Sequence, residues 1–238
     1  MVTVPTRPVY EWRTVLRHRA PLRWMHWINL ACMVALLGSG LQVFHAHPAL
    51  YWGEASNFGR PLLAFAGVPD WAMIPGYRAL ALGRRWHFFF AWLWVINGAF
   101  YLAWALASRH LGRDLAMQRS DWHAIPGSIR DHLRFRHPVG AQALRYNPLQ
   151  KLAYLGVVFV LAPLAILTGL SMSPQMDTVL GGWLSLVGGR QSARTLHFVV
   201  MALFVLFAAV HVLMVVYAGP VNSMRSMLSG RFRVRDGQ

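Results

Sequence analysis

The chain has 238 residues, 56% of them hydrophobic and only 13% charged, about half the charged share of an ordinary soluble domain. That balance excludes a soluble enzyme with a large core and points to a multi-pass membrane protein. The net charge of +15 is nearly all arginine, and the single cysteine, Cys32, excludes an internal disulfide and a cluster held by cysteines alone.

Four apolar runs are long enough to cross a bilayer: residues 24–44, 86–107, 149–170 and 195–218. Arginines precede the first run as in a signal peptide, but the run is too long for a signal core, so an uncleaved first span is expected. Residues 45–85 contain only a short apolar stretch, Pro61 to Gly67, flanked by Glu54, Pro69, Asp70 and Pro75. An ordered extramembrane loop is expected there; the sequence leaves open whether it holds an interfacial helix, with a fifth span as the lesser alternative. Pro163 lies inside the third run and predicts a kink.

Arginine and lysine set the orientation. Seventeen lie in the N-terminal segment, the loop from Arg109 to Lys151 and the C-terminal tail, and six lie in the other two loops. The richer side is expected to be cytoplasmic, with both termini inside. The same clustering between apolar runs argues against a nucleic-acid-binding face.

His197 and His211 stand fourteen residues apart in the fourth run. That is close to four helical turns and about 21 Å of rise, so the two imidazoles face one way from opposite ends of the membrane. The topology places His26 near the inner face and His87 near the outer face. Depth therefore pairs His26 with His211 and His87 with His197. Ionisable groups at such depth are costly and mark function. Two pairs of imidazoles suggest iron ligands for two haems. The sequence has no C-x-x-C-H, so both haems are expected to be non-covalent. With both axial positions filled, such centres move electrons and leave no open site for a substrate.

Room and counter-charge fit the same reading. Gly40 falls level with the outer pair and Gly98 level with the inner pair, where a missing side chain lets a porphyrin edge approach the backbone. Arg23, Arg84, Arg85 and Arg194 stand beside the ligands at the membrane faces and are candidate propionate partners. The remaining histidines read differently. His18, His110, His123, His132 and His137 fall in basic cytoplasmic segments and are expected to be solvated. His45 and His47 form an H-x-H that is poor grounds for a metal site.

Four segments carry a family resemblance: RAPLRWMHWIN, RRWHFFFAW, RYNPLQKLAY and GGRQSARTLHF…HVLMVVYAGP. They resemble the bacterial di-haem cytochrome b family, the membrane subunits of nickel–iron hydrogenases, formate dehydrogenase and thiosulfate reductase, over about residues 18 to 230. The resemblance implies an all-α, integral membrane four-helix bundle holding two b-type haems, with residues 1–238 forming one domain. It implies the same ligand pairs. It also implies a quinone site beside the inner haem at Asn147 and Gln150, although Asn147-Pro148 also reads as a helix N-cap with proline at the first position. The expected function is electron transfer across the bacterial inner membrane between an extracytoplasmic oxidoreductase and the quinone pool. GGRQSARTLHF and LTGLSMSP most resemble members that partner molybdopterin enzymes, with hydrogenase second. Two other readings remain open at this point: a stand-alone quinone reductase oxidising a small outer donor such as superoxide, and a haem-free protein using buried histidines for protons.

Overall fold

A backbone in hydrocarbon must satisfy its own hydrogen bonds, and each long apolar run does so as a helix. The computed structural model describes residues 12–76, 79–134, 146–179 and 182–235. Strand β1 (Trp12–Leu16) leads into helix α1 (Ala20–His45). A loop carries β2 (Ala49–Leu50), β3 (Leu63–Ala64) and a 3-10 turn at Asp70–Ala72. Helix α2 (Leu80–Ala107) follows, then a π-turn at Leu111–Leu115 and helix α3 (Arg119–Leu133). The third span is α4 (Pro148–Gly156), a second π-turn (Val157–Leu161) and α5 (Ala162–Ser171). Short helices α6 (Pro174–Val179) and α7 (Trp183–Leu186) connect to α8 (Arg190–Tyr217). Helix α9 (Pro220–Ser229) and strand β4 (Arg231–Arg235) close the chain.

Four helical segments, Ala20–His45, Leu80–Ala107, Pro148–Ser171 and Arg190–Tyr217, have the length and apolarity to cross a membrane. The second and fourth start five or six residues earlier than the apolar runs predict. The added N-terminal residues of the two helices include Arg84, Arg85, Arg190 and Arg194, which interrupt the apolar pattern. At Pro163, where a kink is expected, the helix passes through a π-turn just ahead of the proline. Proline removes one N–H and crowds the preceding turn, and widening that turn relieves both, with Ala162 N–H bonding Val157.

On the interfacial helix that the sequence left open, the described residues between α1 and α2 show no helix other than the 3-10 turn at Asp70–Ala72. There β2 pairs antiparallel with β3, Ala49 opposite Ala64 and Leu50 opposite Leu63. The apolar stretch from Pro61 is too short and too closely bounded by turns to complete a stable helix. The loop is fastened over the bundle. Buried Gln42 donates to the carbonyls of Gly76 (2.8 Å) and Ala79 (2.9 Å). Thr195 donates to the Tyr51 carbonyl at 2.6 Å, and Ser192 Oγ accepts from Gly53 N–H at 2.8 Å.

Helix α1 packs along α2, and α5 along α8, while α1 and α2 approach the backbone of α8 only sparsely. At the other end of the bundle the first and last strands form a ribbon, β1 antiparallel to β4, from Trp12 opposite Arg235 to Leu16 opposite Arg231. Trp27 Nε1 donates to the Met227 carbonyl at 3.1 Å and ties α1 to α9.

Candidate cofactor site: two histidine pairs

The interval between the helix pairs is bridged at two levels. His26 on α1 faces His211 on α8 with ring centroids 6.2 Å apart, and His87 on α2 faces His197 on α8, also at 6.2 Å. Two metal–nitrogen bonds of about 2 Å, plus half of each imidazole, span about 6 Å. The rings stand at the separation that one iron between them requires.

The outer pair is held in one tautomer. Ser39 Oγ lies 2.6 Å from the Ala35 carbonyl and 3.2 Å from His87 Nδ1. Its single proton goes to the carbonyl, so the oxygen accepts from Nδ1–H and Nε2 keeps its lone pair. Thr168 repeats the arrangement on the third span, 2.6 Å from the Leu164 carbonyl and 3.0 Å from His197 Nδ1. Such outer partners fix a ligand's orientation and basicity. A glycine follows each hydroxyl residue. A Cβ on Gly40 would stand 3.3 Å from His87 Cε1, and one on Gly169 would stand 3.3 Å from His197 Cε1. The expectation for Gly40 thus shifts from the porphyrin edge to the ligand's own ring. Ser39, Thr168 and Gly169 were not expected from the sequence, although a Ser/Thr–Gly dipeptide at the outer end of two spans is a readable signal.

The inner pair is supported by aromatic rings. Phe207 stacks on His211 (6.1 Å, 17°), and Trp27 meets His26 edge-on at 5.5 Å. Gly98 faces open space, with nothing within 4 Å of a Cβ built there. Its neighbour Asn97 is buried and donates to the Met25 carbonyl (3.0 Å) and to Asn29 Oδ1 (2.8 Å), joining α2 to α1 at this level. Midway between the two levels, Trp94 and Phe204 meet edge-on at 5.8 Å. Phe204 is seven residues from each histidine of α8, and Trp94 is seven beyond His87, so the same helical spacing places them between the pairs.

The four candidate propionate arginines part company. Arg23 has a buried Nε without a partner, an orphaned donor beside the inner pair. Arg84 and Arg85 are exposed. Arg194 bonds the His47 carbonyl and lies over the Phe44 ring at 5.4 Å, so it fastens the outer loop and leaves its remaining N–H groups for an anion. His45 and His47 do not converge: His45 Nδ1 accepts from Val68 N–H (3.1 Å), and His47 Nε2 contacts the Tyr51 hydroxyl (3.0 Å).

Asn147 caps the third span. Its Oδ1 accepts from Leu149 N–H at 2.9 Å, and Gln150 Oε1 accepts from Asn147 N–H at 3.2 Å. Its Nδ2 has no partner among the described residues. Aromatic contacts run from Tyr146 to Tyr154 (5.7 Å), Phe207 (6.3 Å) and His211. Burial, reinforced by Tyr154, pushes the Tyr146 hydroxyl well above its ordinary range and keeps it protonated.

The histidines of the basic segments correct one expectation. His123 is exposed, as expected, but His110 is buried and His18 half-buried. Desolvation, then the neighbouring Arg17 charge, lower His18 to about 4. His137 lies outside the described residues.

Apolar spans that leave paired imidazoles facing each other inside a helix bundle define a membrane cytochrome of the b type. Residues 17–230 match the family model for prokaryotic cytochrome b561, and the chain belongs to that family. It is therefore a multi-pass b-type cytochrome that carries haem and serves electron transport. It is 29% identical to a protein from Azospira oryzae named putative protein-methionine-sulfoxide reductase subunit YedZ1, over 83% of this chain and 89% of the relative. It is 26% identical to a probable Ni/Fe-hydrogenase B-type cytochrome subunit from Cupriavidus necator, over 92% and 87%. A protein of the same name from Azotobacter vinelandii is 24% identical over 91% and 87%.

Proposed function

We propose that this chain is the di-haem electron-transfer subunit of a quinone-linked oxidoreductase in a bacterial inner membrane, with both termini cytoplasmic. His26 and His211 would hold the inner haem b, His87 and His197 the outer one. The observation that carries this reading is the 6.2 Å ring separation recurring at two levels of one helix. When bound, haem b supplies one-electron exchange between ferrous and ferric iron. The protein's part is to keep each Nε2 deprotonated and aimed, to exclude water, and to space the two levels. Ser39 and Thr168 do the first at the outer level, and Trp94 with Phe204 occupies the space between.

The partner is an extracytoplasmic oxidoreductase. The outer loops expose Trp52, Phe58, Trp71 and Leu186, each more than half accessible, and such an apolar surface fits protein docking. The relatives' names give hydrogenase and protein-methionine-sulfoxide reductase subunits. The molybdopterin choice rests on the likeness of GGRQSARTLHF and LTGLSMSP, not on these names. On the cytoplasmic side Asn147 offers Nδ2 to a quinone carbonyl, close to the aromatic contacts that lead to His211.

Pyridine haemochrome analysis of the purified full chain tests the reading. Two haem b per polypeptide are expected, and less than one overturns it.

A further inference from the structure

Helix α2 ends in an uncommon way. Arg109 takes a left-handed conformation (φ 55°), the only non-glycine residue to do so among the described residues. A side chain in that region is strained and needs a structural reason to stay there. The turn sends His110 back into the protein instead of out with the basic loop. The imidazole is buried, 5.2 Å from the Trp104 ring and 6.4 Å from that of Tyr146, the residue before Asn147. On its other side Nδ1 lies 2.7 Å from Asp114 Oδ2, and the Asp114 side chain is 41% accessible to water. One dyad thus has a carboxylate in solvent and an imidazole against the aromatic cluster of the inner level.

We infer that His110 and Asp114 are the proton relay of the inner quinone site, a reading that rests on the quinone assignment above. Reduction of a quinone to a quinol takes two electrons and two protons. The electrons come from the chain's own electron-transfer activity, and the protons must cross from cytoplasmic water to a site walled by Tyr146, Tyr154 and Trp104. Imidazole suits that passage, because it gives a proton from one nitrogen and recovers one at the other near neutral pH. His110 Nε2–H passes its proton towards the quinone oxygen as the negative charge develops there. Nδ1 takes a proton from water through Asp114 as Nε2 gives one up, which leaves the Nδ1–H tautomer; the ring then turns over and presents a protonated nitrogen to the quinone oxygen again, so that two such rounds supply the two protons of the quinol. With quinol as donor each proton runs the other way. Tyr146 cannot replace the dyad, since burial keeps its hydroxyl protonated. The titratable groups facing His110 are Asp114 on its own segment, Tyr146 at the start of the third span and His18 ahead of α1. Lys151 and Asp121, paired at 2.9 Å, fasten α3 to α4 and hold the third-span start beside this corner.

The structural alternative, a histidine that merely anchors the turn, is separated by His110→Gln. Glutamine keeps a hydrogen bond to Asp114 but transfers no proton. The full chain in nanodiscs is reduced with stoichiometric dithionite and mixed with ubiquinone-1 or menadione, and haem reoxidation is followed from pH 5.5 to 8.5. The relay predicts unchanged haem content, reoxidation slowed by roughly a hundredfold at neutral pH, a flattened pH profile, and partial rescue by added imidazole. Asp114→Asn, on the solvent side, gives a smaller loss and serves if His110→Gln does not fold. Either variant matching the wild-type rate and pH profile overturns the relay. Wild-type protein that neither quinone reoxidises overturns the quinone reading and this inference with it.

Discussion

The two histidine levels share a ring separation and differ in everything around it. At the outer level each imidazole rests on a glycine and gives its Nδ1 proton to a hydroxyl on a neighbouring helix. At the inner level neither ring has a hydrogen-bond partner among the described residues, and aromatic rings, tyrosines and the His110–Asp114 dyad gather instead. The outer level is organised to hold one ligand geometry. The inner level sits beside tyrosines and a histidine–carboxylate pair. On the proposed reading, a wire that meets a proton-coupled carrier at only one end would use this difference.

Removing a ligand tests that contrast most severely. His197→Ala should delete one haem per chain and leave the other, and His211→Ala should do the converse; loss of both from either variant would mean that the levels are not independent. Thr168→Val keeps the side-chain volume and removes the hydroxyl. It should weaken the outer haem by roughly 10- to 100-fold, the usual scale for an outer-shell partner, with the inner haem unchanged in redox titration. An equal shift in both centres would erase the distinction. Gly98→Ala comes next. Nothing lies within 4 Å of the added methyl, so an apolar bundle should accept it, whereas a porphyrin edge against the glycine should lower inner haem occupancy. Full haem content in the variant removes Gly98 from the site.

The smallest effect is one of pH. His18 titrates near 4 in the folded protein, against an ordinary 6.5. Between those values the unfolded chain binds a proton that the folded chain refuses, so stability rises with pH and is lost as pH falls from about 6.5 towards about 4. Thermal unfolding in detergent should show that slope, and His18→Leu should flatten it.

The spans and the matching of histidine depths were legible because both follow from a 3.6-residue period and a fixed membrane thickness. The ends of α2 and α8 were not, because arginine-bearing turns interrupt the apolar pattern. The β1–β4 ribbon joins residues from opposite ends of the chain, and no local pattern announces such a contact. His110 read as solvated because its basic neighbours suggested a loop, and the left-handed turn at Arg109 that buries it has no glycine to mark it. The capping role of Asn147 was readable in Asn-Pro followed by Gln150. Its free amide was not, since that depends on which oxygen the cap uses.

Both histidine pairs draw one member from α8, which follows the other three candidate spans in the sequence, and the β1–β4 ribbon cannot form until β4 has been made. During synthesis three spans can insert and pack while neither iron position is complete. On the proposed ligand set, each pair would gain its second imidazole only when α8 joins the bundle, so one helix would govern the completion of both centres.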